Sequence, residues 1–241
     1  MALAVGATSK GRVSNSGSSA TTTGVTTTAS GSIFVVGAVW DNGFNFSSIA
    51  DSKSNTYTLI GSELAFGSVK ARLWYVENGA GGASHTATVT VNTSPTYLTV
   101  FFLEITGGAT SGSLDQSNAR SDAASPFTLA AGLTTTQADE ILVSMIVGDS
   151  ASNPATLAES GLGSSTVHSG ASETDGSQFE VGGLATSIKT STGTFNPSWT
   201  MTGGSTCGVF LATFKAAAAA GGLAIPRNIS VIQAINRAAN I

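Results

Sequence analysis

Three features of this 241-residue chain predict an all-β fold, an antiparallel jelly-roll β-sandwich. Apolar runs of strand length are punctuated by Gly, Asn, Asp and Pro, the polar surface is supplied by Ser and Thr rather than by charge, and one strand series occurs twice. TTTASGSIFVV (26–36) recurs as TTTQADEILVS (134–144), with Thr26 on Thr134 and Ile33 on Ile141, an offset of 108. PTYLTVFFLEITGGA (95–109) recurs as STCGVFLATFKAA (205–217), with Val100 on Val209 and Phe101 on Phe210, an offset of 109. The pseudo-repeats therefore cover about 26–109 and 134–217, and a β body is predicted over 1–215.

Each copy reads in the same order. A Thr-rich lead-in enters an apolar strand, Ile33–Trp40 in the first copy and Ile141–Val147 in the second. Gly/Ser-rich middle strands follow, then a further strand, HTATVTV (85–91) against NPSWTM (196–201), then the strongly apolar last strand. Charged residues make up only 10% of the chain, against about 25% in an ordinary globular protein. Helices solvate their wet face with Lys and Glu, whereas a sheet does so with Thr and Ser, so the composition favours strands. Two arrangements fit the duplication: two small sandwiches, or two interleaved halves forming the sheets of one. SGSLDQSNARSDAASP (111–126) carries little apolar material and reads as a surface crossover loop, which favours the single sandwich.

Residues 216–241 differ in character. AAAAAGG leads into LAIPRNISVIQAINRAANI, where Ser230 and Gln233 form a capping box and Ile229, Ile232, Ile235 and Ala239 make one apolar stripe. The expectation is an Ala/Gly linker and a short amphipathic helix that must dock, since an isolated helix of about 12 residues is marginal in water: either it binds a partner or it closes the core of its own domain.

Charge and hydropathy narrow the functional classes. A net charge of −4 with 10 scattered basic residues offers no footprint for nucleic acid. No apolar run approaches the ~20 residues of a membrane span, and no secretory signal is evident at the N-terminus, so an extracellular protein of this sequence would arrive without its own export signal. Cys207, in TCGVFLATF, reads as a small buried hydrophobe.

Catalytic constellations are not found. There is no G-x-S-x-G, H-E-x-x-H, Walker loop or G-x-G-x-x-G after a strand. His85 reads as a hydrogen-bonding or solvated strand-end residue and His168 as a loop residue. Glu104 and Glu77 read as polar strand ends. Glu173, Asp175 and Glu180 around Gly176 offer oxygens that could hold a cation, but their spacing is not that of a calcium loop, and the alternative is a solvated loop. No catalytic residue, metal or cofactor is therefore expected. Aromatic side chains give the one hint of a ligand: Trp40, Phe44 and Phe46 surround an Asn-Gly turn, and Trp74 and Tyr75 must point to opposite faces of a strand. Trp40, Phe44, Phe46 and Tyr75 are the candidate stacking surface for a glycan, against the alternative that Trp40, Trp74 and Trp199 fill the core.

GSIFVVGAVW, DSKSNTYTLIG, ARLWYVENGAGGASHTATVTV and YLTVFFLEITGG resemble a diffuse group of jelly-roll, concanavalin-like sandwich proteins of bacteriophage virions and bacterial surfaces. The likeness covers roughly residues 20–215 and centres on an Asp-Ser-x-x-Asn-x-aromatic turn, here Asp51–Tyr57. Ser54 stands where the group often has glycine, and Tyr57 where tryptophan is common. The resemblance implies a structural or adhesive role and transfers no catalytic residue. It gives the expectation of a virion structural protein: a capsid decoration, head-fibre or tail accessory subunit. Such a subunit would be homo-oligomeric and held to other virion proteins by its C-terminal segment. The competing expectation is a carbohydrate- or receptor-binding module for a host-surface glycan.

Overall fold

In the computed structural model, residues 2–122, 125–150, 155–174 and 180–218 are described. The anchor positions Ile229, Ile232, Ile235 and Ala239, the capping pair, and Asp175 and Gly176 lie outside them. Every regular element in the described residues is a strand, and all pairings are antiparallel. The first half holds β1 (Ala4–Ser14), β2 (Ser19–Thr21), β3 (Ser32–Asp41), β4 (Phe46–Asp51), β5 (Thr58–Leu59), β6 (Leu64–Phe66), β7 (Val69–Gly79), β8 (Ala87–Val91) and β9 (Tyr97–Thr106). The second holds β10 (Leu114–Asp122), β11 (Phe127–Thr128), β12 (Leu133–Thr134), β13 (Glu140–Ser150), β14 (Leu157–Glu159), β15 (Thr166–Glu173), β16 (Glu180–Lys189), β17 (Thr194–Phe195), β18 (Ser198–Met201) and β19 (Gly204–Lys215).

The two halves follow one plan. The large sheet of the first half runs β1-β9-β3-β7-β5, and that of the second β10-β19-β13-β16-β15. The small sheet β2-β8-β4 has its counterpart in β11-β18-β14, with the pair β12-β17 beside it. The large sheets face each other across a shared apolar layer, in which Ile33, Val35, Leu73, Phe101 and Leu103 meet Ile141, Val143, Met145, Phe210 and Phe214. On its other side each large sheet packs against its own small sheets, with Phe34, Trp40 and Phe102 over Val89 in the first half and Leu142, Ile146 and Val209 under Trp199 in the second. The result is four layers and three apolar cores.

This layering explains the apolar runs. A strand covered on both faces has no wet side, so every residue from Ser32 to Trp40 is buried and the period-two alternation disappears. β8, on the outside, keeps it: Ala87, Val89 and Val91 are buried while Thr88 and Thr90 alternate between them. Those threonines form a hydroxyl ladder with β2, Thr88 to Thr21 and Thr90 to Ser19, each at 2.8 Å. Bulk enters the two outer cores from opposite walls. Trp40 stands on the large sheet where the repeat places Gly148, and Trp199 stands on the small sheet opposite Phe127, whereas Val89 in β8 faces Ala20.

Two expectations are corrected here. Most of the segment read as a crossover loop is β10, an edge strand paired along β19. An edge strand with one face turned inward needs few large apolar residues, and Leu114 and Ala119 supply that contact. His168 is likewise on β15, not in a loop; its Nε2 lies 2.8 Å from the Thr186 hydroxyl, and burial lowers its pKa.

Candidate functional site

The densest polar cluster is built on the turn that follows β4. Asp51 ends that strand and folds the chain back on its own carboxylate: Oδ1 accepts from the amides of Lys53 (3.0 Å) and Asn55 (2.9 Å), an Asx arrangement. Oδ2 accepts from Asn55 Nδ2 (2.6 Å), the Tyr57 hydroxyl (3.1 Å) and His85 Nε2 (2.9 Å). Asn55 continues outward, accepting from the Ala80 amide at 2.8 Å and donating to the Ala80 carbonyl at 2.9 Å. The turn thereby clamps the glycine-rich loop between β7 and β8. At Gly81 in that loop a Cβ would lie 2.0 Å from the Thr28 carbonyl, so no larger residue fits.

Ser54 has φ +61°, the left-handed region in which glycine is unstrained. Ser54→Gly is expected to stabilise the fold by about 0.5–1 kcal/mol once the added flexibility of the unfolded chain is set against the relieved strain, read as an increased denaturant midpoint at unchanged slope.

Of the two sequence readings of His85, the structure bears out the hydrogen-bonding one. His85 is wholly buried, not solvated, because the layer above β3 closes over it. Its ring meets Phe34 edge-on at 4.6 Å and Phe102 at 5.0 Å, and its backbone bridges to Val25. Nε2 donates to the Asp51 carboxylate; in the neutral ring Nδ1 then accepts from the Thr27 hydroxyl at 3.0 Å. Burial pushes the Asp51 carboxyl up, but the hydrogen bonds from Asn55, His85 and Lys53 outweigh it and hold its pKa below the usual value. The same burial, with Asp51 alongside, raises Tyr57 far above its ordinary range.

A carboxylate, an imidazole and a hydroxyl in series have the connectivity of an activated nucleophile. Here the chemistry is closed off. The His85 and Asp51 side chains have no exposed surface, Thr27 is 5% exposed, and its hydroxyl also accepts from the Gly82 amide at 3.0 Å. No reacting atom could stand beside it without unfolding the loop. The cluster joins β4, the Thr-rich lead-in to β3, and the β7–β8 loop.

Glu104 plays a similar part beside this cluster, on the strand paired with Phe34. This polar residue near the end of β9 is buried, and accepts from the amides of Ala7 (3.0 Å) and Thr28 (2.8 Å) and from the Ser32 hydroxyl (2.8 Å). Burial raises its pKa, but these donors prevail and lower it. Glu77 accepts from the amides of Gly112 and Ser113 and so ties β7 to the start of β10. Glu173 pairs with Lys10 at 3.6 Å across the two halves.

The aromatic candidates separate. Trp40 is fully buried, donates its Nε1 hydrogen to the Phe44 carbonyl at 3.1 Å, and presents no ring face to solvent. Tyr75 does not point outward: both faces of its sheet are covered, so it packs on Phe214 at 5.6 Å between the large sheets. Phe46 is half-buried, with Trp74 at 5.2 Å and the Arg72 guanidinium 4.3 Å from its ring centre. Phe44 lies at the same rim, where its carbonyl also accepts from Lys70. Trp74 and Trp199 are core residues, as is Cys207, whose sulfur lies 3.8 Å from that of Met201.

Among the described residues no three His, Cys, Asp or Glu side chains stand close enough to hold a metal ion, and no helix is long and apolar enough to cross a membrane. No protein-family model, curated protein or solved structure matches the chain.

Proposed function

We propose that this chain is a non-enzymatic structural protein of a bacteriophage virion, a capsid decoration, head-fibre or tail accessory subunit, held to its particle by the C-terminal segment. The observation that carries this reading is the use made of the acid–base groups. Asp51, His85 and Glu104 are turned inward, and each is spent on backbone amides and neighbouring side chains that hold strands together. The outermost strands, by contrast, present paired hydroxyls such as Ser19–Thr90 and Thr134–Thr194. Such a body suits contact and display, not turnover. The proposal includes the jelly-roll ancestry of the sheets, a homo-oligomer, and an amphipathic C-terminal helix whose Ile229, Ile232, Ile235 and Ala239 meet another virion protein.

Ile232→Asp combined with Ile235→Asp is expected to leave a folded protein with unchanged thermal unfolding and to lower its incorporation into particles at least tenfold, measured by immunoblot of purified virions. Undiminished incorporation overturns the anchoring role. The competing reading as a glycan-binding module retains Phe44 and Phe46 at their rim. Binding on a glycan array that is lost in Phe44→Ala would replace the structural reading.

A further inference from the structure

We infer that Glu140 and Asp115 form a proton-operated latch at the corner where β19 leaves the sheet towards the C-terminal segment, closed when Glu140 carries a proton and loosened when it does not. The repeat exposes the asymmetry. In the first half the carboxylate is on β9, Glu104, with Ser32 on β3; in the second the positions are exchanged, with Glu140 where the repeat places Ser32 and Thr213 where it places Glu104. Glu104 has three donors. Glu140 is fully buried, yet neither of its oxygens has a hydrogen-bond partner among the described residues. The Thr213 hydroxyl and the Gln137 amide lie near enough to favour its charged form, but neither makes a well-formed hydrogen bond to it, and a buried carboxylate so poorly served favours its neutral form.

Every element around it contributes to that balance. On β10, Asp115 is an ionised neighbour, fixed by the Thr136 amide at 2.8 Å, and its pKa is lowered by those hydrogen bonds and by Lys215 despite burial. On β19, Lys215 stands 4.0 Å from Asp115 and is thus engaged with that carboxylate. On β16, Lys189 is opposite Glu140 in register, but its ammonium is committed to the Leu162 carbonyl and lies 5.0 Å from the Phe195 ring centre. Asp139 precedes Glu140 in the chain and contributes its backbone carbonyl to the corner. Burial, opposed by the Thr213 hydroxyl and the Gln137 amide and reinforced by Asp115, pushes Glu140 up to about 7.

The corner is also the last fixed point of the described chain. Lys215 donates its amide to the Ser113 carbonyl (2.8 Å), Ala216 to Asp139 (2.9 Å) and Ala217 to Gly107 (2.8 Å). Protonated Glu140 can share its proton with Asp115. Ionised, it faces a second carboxylate at the foot of these three bonds. Because Glu140's pKa is higher in the closed corner than in an open, solvated one, its contribution is fully present below pH about 4.5 and is lost as pH rises to about 7. The inference does not depend on what the C-terminal segment attaches to.

The test is amide hydrogen exchange in the full-length protein from pH 5 to 8, corrected for intrinsic rates. Opening at Ala216 and Ala217 is expected to rise on the order of fortyfold between pH 5 and 7 and to level off towards pH 8, following the proton uptake difference. Glu140→Gln should flatten this profile, while Asp115→Asn should move its midpoint to lower pH. His168, whose pKa burial lowers, contributes to pH-dependent stability with the opposite sign, so the comparison is made against Glu140→Gln and not with pH alone. A profile in Glu140→Gln parallel to wild type, or no pH dependence in wild type, overturns the latch.

Discussion

Replacing Asp51 with alanine is expected to lower the unfolding free energy by about 4 kcal/mol, because removing a buried acceptor strands the donors that point at it. Asn55 Nδ2, the Tyr57 hydroxyl and His85 Nε2 all lose their partner at once, as do the amides of Lys53 and Asn55. The loss should register as a lower denaturant midpoint with an unchanged slope. Asp51→Asn, which keeps an acceptor but not the charge, should fall between the two. Since Asp51's pKa is lowered on folding, its contribution is present above pH about 3.8 and is lost as pH falls through the depressed value. The asparagine variant should therefore lose less stability than the wild type on acidification. A deficit under about 1 kcal/mol for the alanine variant would mean that the turn holds without its hub.

Trp199→Ala is expected to cost about 3–5 kcal/mol, the range for deleting a large buried aromatic side chain. The indole fills the core between the second large sheet and its small sheet, and its Nε1 donates to Ser144 Oγ at 2.8 Å, which donates in turn to the Phe210 carbonyl at 2.9 Å. Trp199→Phe keeps most of the volume and leaves Ser144 its carbonyl partner, so a loss of about 1–2 kcal/mol is expected. Chemical denaturation of both variants separates volume from hydrogen bonding; equal losses would show that the indole N–H, not the ring, carries the effect.

Much of the fold was legible in the sequence because burial on both faces writes itself as an unbroken apolar run. Ile33–Trp40 and Leu98–Ile105 could hardly be anything but interior strands. The polar edge strands escaped for the converse reason: β1 and β10 carry few large apolar residues and each has a register shift, leaving no period to detect. The site was legible in part. Asp51–Tyr57 announced a turn, but His85 lies 34 residues from Asp51 in sequence, and only the pairing of β4 with β8 brings them together. Glu104 was passed over because Thr213 answers it in the second copy. The signal was present one strand away, in the acid at Glu140 answering Ser32.

The strand order also governs how such a molecule can be made. β1 lies along β9, with Ala4 opposite Thr106, and β10 along β19, with Leu114 opposite Phe214. Contacts this distant along the chain are slow to form, since a long loop must close before they reward it. On the ribosome the N-terminal strand must wait, edge unsatisfied, for roughly a hundred residues of synthesis, and the second half repeats the delay. Duplication of the motif thus sets two successive periods in which a growing chain is most open to mispairing, and most dependent on chaperones.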